Sequence, residues 1–149
     1  MSGQPLSSYD AYLFGEGNHY RCYNFLGAHF TDIDGIDGAI FLVWAPNADA
    51  VHLIGDFNSW SGKSSPMEKD DDSGIWSVFI PGLREWDMYK YEIYTGDGRV
   101  LVKSDPYAFY SELRPGTASK LLSLENYKWN DSNWMEHRKK TNIFESPIN

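Results

Sequence analysis

"MYKYEIYTGDGRVLVKS", residues 88–104, reads as a strand, a turn and a returning strand. Successive side chains of an extended chain alternate sides, so Tyr89, Tyr91 and Ile93 share one face while Met88, Lys90 and Glu92 share the other. The segment therefore turns an aromatic face to a core and sends Lys90 outward. "TGDGR" (95–99) supplies two glycines free to take positive φ, the chemistry of a hairpin turn, and "VLVKS" (100–104) is the partner strand.

The same composition recurs on either side of this hairpin. "AIFLVWA" (39–45), "AVHLIGDF" (50–57) and "IWSVFI" (75–80) are short, β-branched or aromatic, and ended by Pro, Gly, Asn or Asp, and "KLLSL" (120–124) fits a last strand. No helical periodicity separates them, which predicts an all-β, immunoglobulin-like antiparallel β-sandwich rather than a parallel α/β sheet. Helix is expected only near the ends, in 7–27 and in "DSNWMEHRKK" (131–140), whose basic last turn suits the helix dipole. A sandwich strand facing water should alternate, yet "IFLVWA" is apolar on both faces. The outer side carrying Ile40, Leu42 and Trp44 must then be covered, either by the N-terminal segment or by something outside this chain. Leu42 and Trp44 are the candidate docking residues.

A chain of 149 residues is the length of one domain and can bury ~70% of its unfolded surface. Aromatic residues are the outlier: six Trp, ten Tyr and eight Phe exceed core needs and point to a contact surface. The formal net charge of −8 argues against nucleic acid, whose binding draws on Lys and Arg. The single cysteine, Cys22, excludes an internal disulfide. The start lacks a signal-peptide pattern and no window reaches a membrane span, so a cytoplasmic protein with no membrane partner is expected.

Site chemistry is sparse. The acidic run "EKDDDSG" (68–74) lacks the alternating ligands and closing glutamate of a calcium loop and reads as a solvated hairpin connection. His19, His29, His52 and His137 have no ligand spacing, so no metal and no cofactor are expected. Neither a Ser-His-Asp signature nor a phosphate-cradling glycine loop is present, and no catalytic residue is assigned. "VHLIGDFNSWSG" (51–62) is different: its turn accounts for Gly, Asn and Ser, while no turn type needs Trp60. Taken alone, Trp60 is either a core cover or an exposed platform.

"VWAPNA" (43–48), "GDFNSW" (55–60), "YKYEI" (89–93) and "KSDPYA" (103–108), in that order, resemble the N-terminal β-sandwich of glycogen branching enzymes, classed as carbohydrate-binding module family 48. The flanks "EGNHYRCYNFLGAH" and "RPGTAS", and the tail "FESPIN" (144–149), are similar to the bacterial branching enzymes in particular. The resemblance implies a weak α-glucan surface in which Trp60 lies under the apolar face of a glucose and Lys90 supplies a polar contact, with Asn58 either a further contact or only a shaper of the turn. It also implies a parent enzyme that cuts an α-1,4-glucan and rejoins it through an α-1,6 link on a TIM barrel. Such a barrel needs ~250 residues, so the expected division is an N-terminal extension packing on the sandwich (1–36), a β-sandwich (37–125) and a linker to an absent catalytic barrel (126–149). The catalytic barrel of the same polypeptide is then the second partner. A free-standing glycogen-targeting domain is the alternative.

One departure bears on affinity. Relatives that hold glycogen tightly carry a second tryptophan after the hairpin turn, where this chain has Arg99 and Val100, and an asparagine near the last strand, where it has Ser119 and Lys120. A single indole face of ~80 Å² contributes ~2 kcal/mol, whereas millimolar binding needs ~4 kcal/mol. Weak binding is expected; Trp86 in "LREWDMY", a loop tryptophan ahead of a strand, reads first as a cover for the core and only second as a substitute platform.

Overall fold

A computed structural model describes residues 6–125 and 128–141. Two antiparallel sheets are stacked face to face, in keeping with the expected sandwich. The first has the order β1 (Gly27–Ile33), β2 (Ile36–Trp44), β5 (Ile75–Pro81), β4 (Glu68–Asp70). In the second, β3 (Ala48–Gly55) pairs with one edge of β6 (Met88–Thr95). The other edge of β6 carries β7 (Val100–Lys103) along its C-terminal half and β9 (Ser119–Lys120) at its start, and β9 pairs on to β8 (Tyr110–Ser111).

The two-residue periodicity places the core as read. Phe41 and Val43 of β2 meet Val51 and Leu53 of β3 and Tyr89 and Tyr91 of β6, with the Phe41 and Tyr89 rings edge to face at 4.9 Å. Tyr89 and Tyr91 are fully buried. The β6–β7 hairpin closes through the Thr95 amide on the Arg99 carbonyl, with Gly98 at φ +82°.

The alternate residues of β2 form a second layer. Leu42 is 0% exposed, packed with Phe25, Leu26, Ile40 and Ile75. The N-terminal segment supplies this cover: α1 (Ser8–Gly15), capped by the Ser7 hydroxyl, sets Phe14 edge-on against Phe25 and Trp44. A 3-10 turn, Cys22–Asn24, follows. Of the two covers open to the sequence, the chain's own N-terminus is the one built. Leu42 is therefore corrected: no face of it is left for a neighbouring domain, whereas Trp44 remains 54% exposed, its indole N–H donating to the Ser73 carbonyl at 3.1 Å.

Three strands, β1, β4 and β8, lie outside those read from the sequence, and the last strand is shorter than read. β1 lies inside the stretch read as an extension, joined to β2 by Asp34 and Gly35 at φ +54° and +79°, the left-handed pair of a tight hairpin. The sheet thus begins ahead of residue 36. β4 occupies the start of the acidic run, after which Asp70 accepts from the Ser73 amide at 3.0 Å and turns the chain into β5. The last strand is shorter than 120–124, because beyond Lys120 the chain bonds to the β5–β6 loop through Leu121 and Asp87 instead of to β6. At the C-terminal end α2 (Ser132–Lys140) forms as expected, and 144–149 lies outside the described residues.

Candidate functional site

The motif "GDFNSW" (55–60) runs from the last residue of β3 into the loop that follows, and five of its six residues have structural employment. Gly55 runs so close to β6 that a Cβ there would collide with the Met88 carbonyl and the Phe57 ring. Asp56 accepts the Trp60 indole N–H on Oδ1 at 3.1 Å and the Met88 amide on Oδ2 at 3.2 Å. Phe57 packs on the core beside Phe41. Asn58 accepts the Gly55 amide at 2.9 Å and donates to the Leu53 carbonyl at 2.9 Å and the Ser65 hydroxyl at 3.1 Å. Its amide group is spent inside the loop, so of its two readings the turn-shaping one describes what the side chain does. Ser59 carries the turn at φ +53°.

Trp60 is what remains. It stands 39% exposed at φ +60°, the second successive non-glycine residue in the left-handed region, where an L side chain costs about 1–2 kcal/mol. The Asp56 carboxylate holds the ring by its indole N–H, and the backbone N–H is tied to the Gly55 carbonyl at 2.9 Å. A rigidly oriented, half-open indole on a strained backbone is poorly explained as a core cover.

Lys90 projects from the outer side of β6, as the alternation requires, and its ammonium donates to the Thr117 hydroxyl at 2.6 Å. Thr117 went unnoticed in the sequence because the contact spans 27 positions and joins a strand to a loop. Further along the same side of the sheet, His52 lies opposite Glu92 in register, and the Tyr94 hydroxyl donates to the Glu92 carboxylate at 2.9 Å. That carboxylate pushes the Tyr94 pKa up and keeps its hydroxyl a donor. At the position of the lacking second tryptophan, Val100 is exposed and Arg99 pairs with Asp97 at 2.7 Å. Ser119 is buried and accepts the Asp105 amide, so it offers no surface contact.

Two other features have the look of sites. Asp105 is buried and its pKa is raised, chiefly by desolvation, but its partners are the core phenols of Tyr89 and Tyr91 and the Tyr107 amide, an internal clamp. A cleft of about 730 Å³ opens beside β1 between Arg21, His29, Phe109 and Leu124, and it contains none of Trp60, Lys90 or Thr117. Among the described residues no group of three His, Cys, Asp or Glu side chains is placed to hold a metal ion. No described helix is long and apolar enough to cross a membrane.

Residues 25–108 match the family described as carbohydrate-binding module 48 (isoamylase N-terminal domain). Over 148 residues the chain is 45% identical to the 1,4-alpha-glucan branching enzyme of Bacillus subtilis and 52% identical to that of Halothermothrix orenii, covering 99% of this chain and 24% of each relative. The chain thus spans about a quarter of the length of these curated relatives. Among solved structures it is similar to the pullulanase of Bacillus acidopullulyticus (TM-score 0.51, 28% identity, 66% of this chain and 12% of that one). It is also similar to a Klebsiella pneumoniae pullulanase solved in complex with maltotriose (TM-score 0.52, 28% identity, 66% of this chain and 9% of that one).

Proposed function

The chain belongs to the carbohydrate-binding module 48 family, and from that premise we propose that it is the non-catalytic N-terminal module of a bacterial 1,4-alpha-glucan branching enzyme, holding α-glucan weakly on Trp60 and Lys90. The observation that carries this reading is the loop at 55–60: every other member of the motif has a packing or turn role, whereas the Trp60 indole, 39% exposed, is required by neither. A sugar presents an apolar C–H face that an indole can cover and hydroxyls that need polar partners at the rim. Lys90 on β6 and Thr117 in the loop ahead of β9 can supply them. The pairings with branching enzymes over 99% of this chain favour this origin over a free-standing glycogen-targeting domain. Bond cleavage and transfer belong, on this reading, to the remainder of the parent polypeptide in the cytoplasm. Trp44, half-open and braced on Phe14, is the residue proposed to face that remainder.

Titration of the chain with maltooligosaccharides tests the surface. Removing an indole platform worth ~2 kcal/mol should weaken binding about thirtyfold, so Trp60→Ala is expected to bring a millimolar interaction below detection with the fold unchanged. Retention of the original affinity by Trp60→Ala, or α-1,6 branching of amylose by the isolated chain, overturns the reading.

A further inference from the structure

A second exposed tryptophan is held in a left-handed backbone. The β5–β6 loop makes two such demands: Gly82 meets one at φ +73°, and Trp86 meets the other at φ +78°, where glycine would be unstrained. Trp86 is not a lid on the core, since it is 52% exposed. Its ring stands edge-on to Tyr110 at 5.4 Å, and Tyr110 is itself 44% exposed. The backbone beneath is pinned: the Trp86 amide donates to the Leu121 carbonyl at 2.8 Å, the Leu121 amide to the Asp87 carbonyl at 3.0 Å, and the Arg84 amide to the Asp87 carboxylate at 2.8 Å.

The pair lies at the same end of the same sheet as Trp60. Tyr110 of β8, Lys120 of β9 and Met88 of β6 form one register row, alternating with the inward Ser119 and Tyr89. Met88 also gives its amide to Asp56, the carboxylate that orients the Trp60 indole. One acidic side chain therefore ties the Trp60 loop to the strand that Trp86 precedes.

We propose that Trp86 and Tyr110 form a second aromatic subsite for the same α-glucan chain, taking a glucose unit beyond the one on Trp60, with Lys120 as its polar neighbour. This rests on the glucan reading of Trp60 and extends it. A second platform engaged by the same ligand adds affinity through effective concentration, and only for ligands long enough to reach both. It compensates for the tryptophan lacking after the β6–β7 turn.

The test uses the isotope-labelled 149-residue chain, with maltotriose and maltoheptaose as ligands and the indole N–H resonances as readout. The unmodified chain is expected to bind maltoheptaose about tenfold more tightly than maltotriose, with the Trp86 resonance moving only for the longer ligand. Trp86→Gly should lose that tenfold preference, keep its maltotriose affinity, and melt no lower than the parent because glycine relieves the backbone. Tyr110→Ala should reproduce the loss by a route that leaves the loop backbone alone. Equal affinity of the unmodified chain for the two ligands, or an unaltered maltoheptaose affinity in both variants, overturns the second subsite and leaves Trp60 standing; the latter result is also the one expected if Trp86 instead docks on the parent's remainder. An unaltered maltotriose affinity in Trp60→Ala removes the first site instead.

Discussion

Replacing Asp105 by alanine is expected to cost about 3–5 kcal/mol of folding stability, a large share of the ~5–15 kcal/mol available to a domain. The carboxylate sits between the sheets and accepts the Tyr89 hydroxyl at 2.7 Å, the Tyr91 hydroxyl at 3.2 Å and the Tyr107 amide at 2.8 Å. Both phenols are fully buried, so alanine would strand two donors away from water in addition to opening a cavity. Urea unfolding should show the midpoint falling at unchanged slope. A loss below about 1 kcal/mol would mean that the phenols find other partners.

The same residue gives the fold a pH dependence whose sign follows from its surroundings. Desolvation raises the Asp105 pKa, and the hydrogen bonds from Tyr89, Tyr107 and Tyr91 and the charge of His29 oppose it without cancelling it. The folded chain therefore holds this proton more tightly than the unfolded chain. Its contribution is complete below the unfolded aspartate pKa and is lost as pH rises through the raised folded value. Asp105→Asn has no proton to release, so the parent should lose stability relative to this variant as the pH is raised across that interval. The opposite slope would show that the hydrogen bonds outweigh burial.

Gly55→Ala is the second large effect, expected at about 2–3 kcal/mol. Conformation is not the reason, because Gly55 is extended at φ 178°, a backbone any residue adopts. Space is. The added methyl would collide with the Met88 carbonyl and the Phe57 ring, and separating β3 from β6 there would pull on the Gly55 carbonyl that anchors the Trp60 amide. Stability and glucan affinity should fall together. Gly15→Ala, where a Cβ meets nothing within 4 Å, is the matched control and should change stability by less than about 0.5 kcal/mol.

The strands that could be read were those in which backbone preference and burial agree. In 88–104 the aromatic alternation, the glycine turn and the return strand all specify one hairpin, and the structure has it. The two-faced β2 likewise announced a covered outer side, because an apolar face in water is costly wherever the cover comes from. β1 was missed because Gly27–Ile33 mixes polar and apolar residues without a clean alternation, although Asp34-Gly35 was a usable hairpin signal. The turn residues of 55–60 were legible as a turn, but the inward aim of Asn58 was not.

From the residues alone came the central strands β2, β3, β5, β6 and β7, the sandwich class, the outward Lys90 and the surplus indole at Trp60, since each depends on the chain's local alternation and turn chemistry. Only the folded molecule decided that Phe14 and Phe25 rather than another domain cover Leu42, that Asp105 clamps Tyr89 and Tyr91 from 16 and 14 positions away, and that Thr117 meets Lys90 while Tyr110 meets Trp86. Those pairings join segments distant in the chain. They are settled by how two sheets and their loops pack together, which no short-range pattern of side chains encodes.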